Sequence, residues 1–155
     1  MTPDAPSVAY PALLPDWGSP TLRVYPVYTV IAEKYHAMVM LGLANSRMKD
    51  FYDLITIAGR TELDGATLAR AISATFARRK TVLPEQPPIS LRKEFGGNAG
   101  KQFQWHAFLR KNRLDAPSLA EVIDRLYILL WPAMQVATAN SGATAKWSPE
   151  QLNWT

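Results

Sequence analysis

Cysteine is missing altogether from these 155 residues, and histidine is limited to His36 and His106. Neither a disulfide framework nor a thiolate metal site can be built, and two imidazoles are too few for a typical histidine-based zinc site. Also lacking is any apolar run near the roughly 20 residues that span a bilayer, and Met1 to Pro15 holds no basic segment leading into an apolar one. A cytoplasmic chain with no membrane partner is the expectation. Gly18-Ser19 and Gly96-Gly97 resemble pieces of phosphate loops, but neither has the following lysine or the preceding apolar strand that a P-loop or dinucleotide fold requires. No Asp-x-Asp pair occurs anywhere in the chain.

What is present is enough for one substantial core: 48% of the residues are hydrophobic, and the length suits one domain. Lysine and arginine number 17 against 13 acids, a mild excess of +4. Its distribution is uneven. Arg78-Arg79-Lys80, Arg92-Lys93 and Arg110-Lys111, with Arg113 nearby, cluster in the second half, while the acids are scattered singly. Solvated helix C-termini account for such clusters most simply, and contact with an RNA or DNA backbone is the other reading.

Proline sets the first boundary. Pro3, Pro6, Pro11, Pro15 and Pro20 mark residues 1–26 as an extended lead-in, with Leu22 to Tyr25 a short strand and Pro26 suited to the first turn of a helix. From Val27 the positions Val27, Ile31, Met38 and Leu41 form one helical face that ends near Gly42. Asn45 or Ser46 can cap a second helix to about Ala58, closed by Gly59, and Asp64 a third, whose Leu68, Ile72, Thr75 and Phe76 face inward. Leu83 to Pro88 is an extended connection, Ser90 to Phe95 a short helical turn, and Ala99 to Lys111 a helix carrying Phe103, Trp105, Ala107 and Phe108. Ser118 and Glu121 have capping-box spacing for a last helix that Pro132 should bend or end. A mainly α fold follows, with at most one or two short strands: a helical domain over 27–135 and an irregular tail over 136–155. Trp147 and Trp154 can pin that tail to the body; with Tyr10 and Trp17 they could instead stack on bases.

Within these helices, two runs place charges inside apolar stripes, where burial is costly without partners or a task. Lys34 follows Ile31 by three residues and precedes Met38 by four, so its stem leaves from the apolar face. Either it reaches past that face to water, or it is a positioned cation for phosphate. Asp50 and Asp53 share one side of the second helix. Their local partners, Arg47 and Lys49, precede them, which is the weaker order, and place positive charge against the helix dipole. Asp50 and Asp53 are too few to form a magnesium site unaided, though they can complete one. His36 and His106 read as partly buried helix residues rather than catalysts.

The stretch from Tyr25 to Leu54, Y-P-V-Y-T-V-I-A-E-K-Y-H-A-M-V-M-L-G-L-A-N-S-R-M-K-D-F-Y-D-L, resembles the signature of the AbiEii/AbiGii-type nucleotidyltransferase toxins of bacterial abortive-infection and toxin-antitoxin systems. The likeness extends over roughly residues 20 to 135 and rests on the A-E-K and R-x-K-D-x-x-D-L motifs together. It implies the C-terminal helical bundle of a polymerase-β-like enzyme that uses magnesium to move a nucleotide from an NTP to an acceptor, transfer RNA in some members. In that scheme Lys34 matches an active-site lysine and Asp50 an assisting acid. Glu33, Arg47, Lys49 and Asp53 are neighbouring support, so residues 27–58 carry half of a site. A cognate antitoxin is the implied partner.

The family's Gly-Ser turn followed by Asp-x-Asp on a strand has no counterpart here, because Thr21 to Val30 contains no acid. The expectation is therefore a chain whose metal-binding half lies elsewhere, with no complete metal site and no transfer activity alone. Two other readings remain open. One is a free-standing helical RNA-binding or regulatory module using Arg78, Arg79, Lys80, Arg92, Lys93, Arg110 and Lys111. The other is an interaction protein that pairs with an antitoxin or a split catalytic partner.

Overall fold

The computed structural model of the chain describes residues 20–139 and 145–155, with side chains from Pro26 onward. The lead-in before Pro20, including Tyr10, Trp17 and Gly18-Ser19, lies outside the described residues. Within them the fold is mainly α, as expected. The helices are α1 (Pro20–Leu41), α2 (Met48–Arg60), α3 (Gly65–Arg78), α4 (Lys93–Gly96), α5 (Ala99–Asn112) and α6 (Leu119–Ala139). Short 3-10 turns at Gly42–Ala44 and Ile89–Leu91 join them.

Three helix caps form, two of them, Asp64 and Ser118, at positions that the sequence marks. The Asp64 carboxylate accepts from Thr67 N at 2.9 Å, Asn98 Oδ1 from Lys101 N at 2.9 Å, and Ser118 Oγ from Glu121 N at 3.2 Å. Each satisfies an orphan N–H of a helix first turn. At the other end of α1, Gly42 takes the left-handed conformation, φ 54°, that a side chain would strain.

Four boundaries differ from the sequence reading. Leu22 to Tyr25 is helical rather than a strand, because α1 opens at Pro20, whose missing N–H costs nothing in a first turn, and runs through Pro26. Neither Asn45 nor Ser46 caps α2; Asn45 Oδ1 instead accepts from Arg47 N at 2.8 Å, and Arg47 holds the cap position without a side-chain hydrogen bond. Gly59 lies inside α2, which runs to Arg60. Pro132 does not end α6, which continues to Ala139.

The last two differences share a cause in the tail, which is ordered where irregular chain was expected. β1 (Leu63–Asp64), β2 (Lys146–Ser148) and β3 (Asn153–Trp154) form a small antiparallel sheet in that order, with Leu63 opposite Trp147 and Trp147 opposite Trp154. Buried Trp147 donates its indole N–H to Ala58 O at 2.8 Å, a carbonyl in the last turn of α2. Trp154 donates to Ile128 O at 3.1 Å and Leu129 O at 3.2 Å. Ile128 is four residues before Pro132, so its carbonyl is the one that the missing proline N–H leaves free. The hairpin approaches so closely that a Cβ on Gly65 would meet Ala145 O at 2.9 Å.

The core joins all of these layers. α1 packs chiefly on α3, and α3 and α4 on α6. Tyr35, Phe51, Phe76, Phe95, Trp105 and Trp147 fill it with the aliphatic face of α6. α4 reaches α6 through Gly96, whose absent Cβ would lie 2.9 Å from Ala120 Cα.

Candidate functional site

α1 and α2 meet along a charged seam. Lys34 Nζ donates to Asp50 Oδ1 at 2.9 Å and pairs with Asp53 Oδ2 at 3.1 Å. Arg47 Nε lies 2.9 Å from Asp50 Oδ2, an ion pair without an aligned hydrogen bond, and that oxygen is buried. Lys49 donates to Asp53 at 2.7 Å. The lysine and the carboxylate are sixteen positions apart in sequence and converge because Lys34 rides the edge of the buried Ile31–Tyr35–Met38 face while Asp50 occupies the first turn of α2. A carboxylate there also meets the positive end of the helix dipole.

Burial decides how strong these contacts are. The Asp50 side chain is 6% exposed and Lys34 19%, against 58% for Arg47 and 73% for Lys49. Burial by itself pulls the Lys34 ammonium down, but the hydrogen bond and charge of Asp50, followed by those of Asp53, outweigh it and leave Lys34 above its ordinary value. It is a held cation whose charged form these carboxylates favour.

The residue before it does the reverse. Glu33 accepts from Arg78 at 2.6 Å and Arg79 at 2.7 Å, tying α1 to the end of α3. Its partial burial is opposed by both guanidinium groups, so its carboxyl lies below the usual range. His36 shares a hydrogen bond of 2.8 Å with Thr81 Oγ1 and sits edge-on to Phe76; burial, then the charge of Arg79, pushes it below its ordinary value. Glu33, Lys34, His36, Arg47 and Arg79 line one open groove of about 530 Å³, with Val30, Met40 and Leu41 as its apolar part. Lys34, Arg47 and Arg79 put three cations on its wall against one lining carboxylate, Glu33, and the carboxylates of Asp50 and Asp53 stand behind Lys34 and Arg47.

The same contacts speak against a metal ion at this seam. Both oxygens of Asp50 and Oδ2 of Asp53 already face Lys34, Arg47 or Lys49, and no cluster of three metal-ligating side chains exists among the described residues. Magnesium binding by Asp50 or by Asp53 Oδ2 would have to displace a cation, and two carboxylates without a third ligand do not make a magnesium site.

A family model described as "Nucleotidyl transferase AbiEii toxin, Type IV TA system" matches residues 1–136. The chain belongs to the AbiEii toxin family. The AbiEii family is one of nucleotidyltransferase toxins in toxin-antitoxin systems, which carries with it a nucleotide substrate and an antitoxin partner. No curated protein and no solved structure matches this AbiEii chain. Among its described residues no helix is long and apolar enough to cross a membrane.

The basic residues expected at a nucleic-acid surface fare unequally in this AbiEii chain. Arg78 and Arg79 are engaged by Glu33, and Arg92 Nε donates to Pro87 O at 2.7 Å. Lys80, Lys93, Arg110 and Lys111 are exposed at the ends of α3, α4 and α5. His106 is exposed, not partly buried as its apolar neighbours implied, because α5 turns only Lys101 and Trp105 fully inward. Two polar residues of the interior were missed by sequence reasoning, Lys101 and fully buried Asn45, whose contact spans 56 positions and leaves no local signal.

Proposed function

We propose that this AbiEii chain supplies the phosphate-binding half of a nucleotidyltransferase site. Lys34 is the principal cation for the triphosphate of an NTP, and Arg47 and Arg79 line the same groove. The observation that supports this reading is the doubly held ammonium of Lys34 at 2.9 and 3.1 Å from two carboxylates, at the wall of a groove that Arg47 and Arg79 also line. Such a cation is fixed before the ligand arrives and can oppose charge that grows on a transferring phosphoryl group. Asp50 and Asp53 act as its cradle, not as metal ligands.

Magnesium chemistry in the complete toxin requires carboxylates that this sequence does not contain, because it lacks an Asp-x-Asp pair. In this reading they come from protein outside these 155 residues, encoded upstream or on a partner chain, and the acceptor is an RNA such as transfer RNA. The cognate antitoxin then acts by masking this groove or the missing half.

A nucleotide-transfer assay tests the reading: the chain alone, the chain expressed with its native upstream region, and the latter with Lys34→Ala. The expected result is no transfer by the chain alone, transfer with the upstream region, and a loss of about a hundredfold or more with Lys34→Ala. Full transfer by the Lys34→Ala protein would overturn it.

A further inference from the structure

The connection between α1 and α2 is gripped by a second buried cation. Lys101, on α5, is 8% exposed. Its ammonium donates to Asn45 O at 2.8 Å and to Gln104 Oε1 at 3.3 Å, and stands 5.6 Å from the Phe95 ring centroid. A carbonyl, an amide and a ring face are its partners; among the described residues no carboxylate pairs with it. An ammonium in the interior loses hydration, and methionine or leucine of similar volume would serve stability as well or better. What the lysine provides instead is reach and a donor at one particular backbone carbonyl.

That carbonyl belongs to the residue on which the charged seam is hung. Asn45 is held from both sides, with its carbonyl accepting from Lys101 and its Oδ1 accepting from Arg47 N at 2.8 Å. Arg47 Nε lies 2.9 Å from Asp50 Oδ2, and Asp50 Oδ1 accepts from Lys34 Nζ at 2.9 Å. Where α1 gives way to the connection, Ser90 Oγ donates to Met38 O at 3.0 Å, in the last turn of α1, and lies 3.4 Å from Gly42 O. With that end fixed, Lys101 governs where Asn45 and Arg47 sit.

We propose that Lys101 is a positioning residue for Lys34, acting through Asn45, Arg47 and Asp50 to hold the ammonium in one place at the groove. Only the use of that order, phosphate binding, rests on the function proposed above; the relay itself is a property of the folded chain.

The test is made on the full chain in two arms. In the first, ¹⁵N relaxation of the lysine ammonium groups gives the order parameter of Lys34 Nζ in the wild type, Lys101→Met and Lys101→Arg. The expected result is a fall in Lys101→Met into the flexible range, below about 0.6, and retention in Lys101→Arg, which keeps a donor for Asn45 O. Unchanged Lys34 order in a folded Lys101→Met protein overturns the proposal, whatever its melting temperature does. Should Lys101→Met not fold, the same reading is taken on Lys101→Gln, which keeps a donor but not the reach.

In the second arm, inorganic tripolyphosphate is titrated calorimetrically. Lys101→Met should weaken binding about threefold or more in the wild-type background and have no effect in Lys34→Ala, because coupled residues are not additive. Equal weakening in both backgrounds overturns the relay. If the wild type binds no tripolyphosphate, the phosphate reading fails while the first arm still decides the role of Lys101.

Discussion

Two seams join distant stretches of this chain, and they are made of different material. Where the C-terminal hairpin meets α2 and α6, two neutral indole N–H groups meet helix carbonyls that lack a partner of their own, Trp147 on Ala58 and Trp154 on Ile128. Where α1 meets α2, Lys34, Arg47 and Lys49 face Asp50 and Asp53, and one buried oxygen of Asp50 has no aligned donor. The hairpin seam removes unsatisfied polar groups and is explained by stability alone. The charged seam desolvates ions, leaves one cation in excess, and opens on a groove, none of which stability selects. That contrast directs functional attention to Lys34.

The contrast is open to attack from either side. The largest effect belongs to the hairpin: Trp147→Ala empties a fully buried site and strips Ala58 O of its donor, so it should cost about 4 kcal/mol. Urea denaturation measures this. Asp50→Ala should cost less, about 3 kcal/mol, because Lys34 keeps Asp53 while losing its better-buried partner. If Asp50→Ala proves neutral, the seam is not a built feature. Smaller again is Trp154→Phe, which keeps the ring and removes only the N–H, at about 1 kcal/mol. A double variant that also replaces Pro132 by alanine should recover that loss, since the helix then satisfies Ile128 O itself.

Dependence on pH reports the charged contacts and is blind to the indole ones. The Lys34 value is raised in the fold, so its contribution is complete below the ordinary lysine range and is lost as pH rises through the folded value. Glu33 and Asp64 are lowered, so theirs is present above the ordinary values of 4.5 and 3.8 and is lost as pH falls. His36 is lowered too, and being a base it opposes folding once pH drops below its ordinary 6.5. Chemical denaturation across pH should therefore weaken at both ends, with Glu33→Gln removing part of the acid limb. The indole contacts of the hairpin carry no charge and contribute to neither limb.

Local chemistry was readable in the sequence and distant pairing was not. Asp64 and Ser118 announce their helices because a cap and its N–H are three residues apart. Lys34 was visible as a charge set within an apolar helix face, and Asp50 as an acid in a first turn. The partners that correct the reading lie far off in the chain: Trp147 is 89 positions from the carbonyl it caps, Trp154 is 26 from the one freed by Pro132, and Lys101 is 56 from Asn45. Gly59 and Pro132 look like helix terminators only until those donors are counted. The likeness to the AbiEii family was legible from Tyr25 to Leu54, and the family match extends over residues 1–136, leaving the hairpin beyond it.

The central claim is that Lys34 is held in order to bind phosphate, and calorimetric titration of inorganic tripolyphosphate into the full chain tests it most directly. One hydrogen bond from a charged donor contributes about 1.5 to 3 kcal/mol, so Lys34→Ala should weaken binding at least about tenfold. Arg125→Ala removes the same charge from an exposed pair on α6 and should leave affinity within about twofold. Equal affinity of Lys34→Ala and wild type, or equal losses in Lys34→Ala and Arg125→Ala, would contradict the claim.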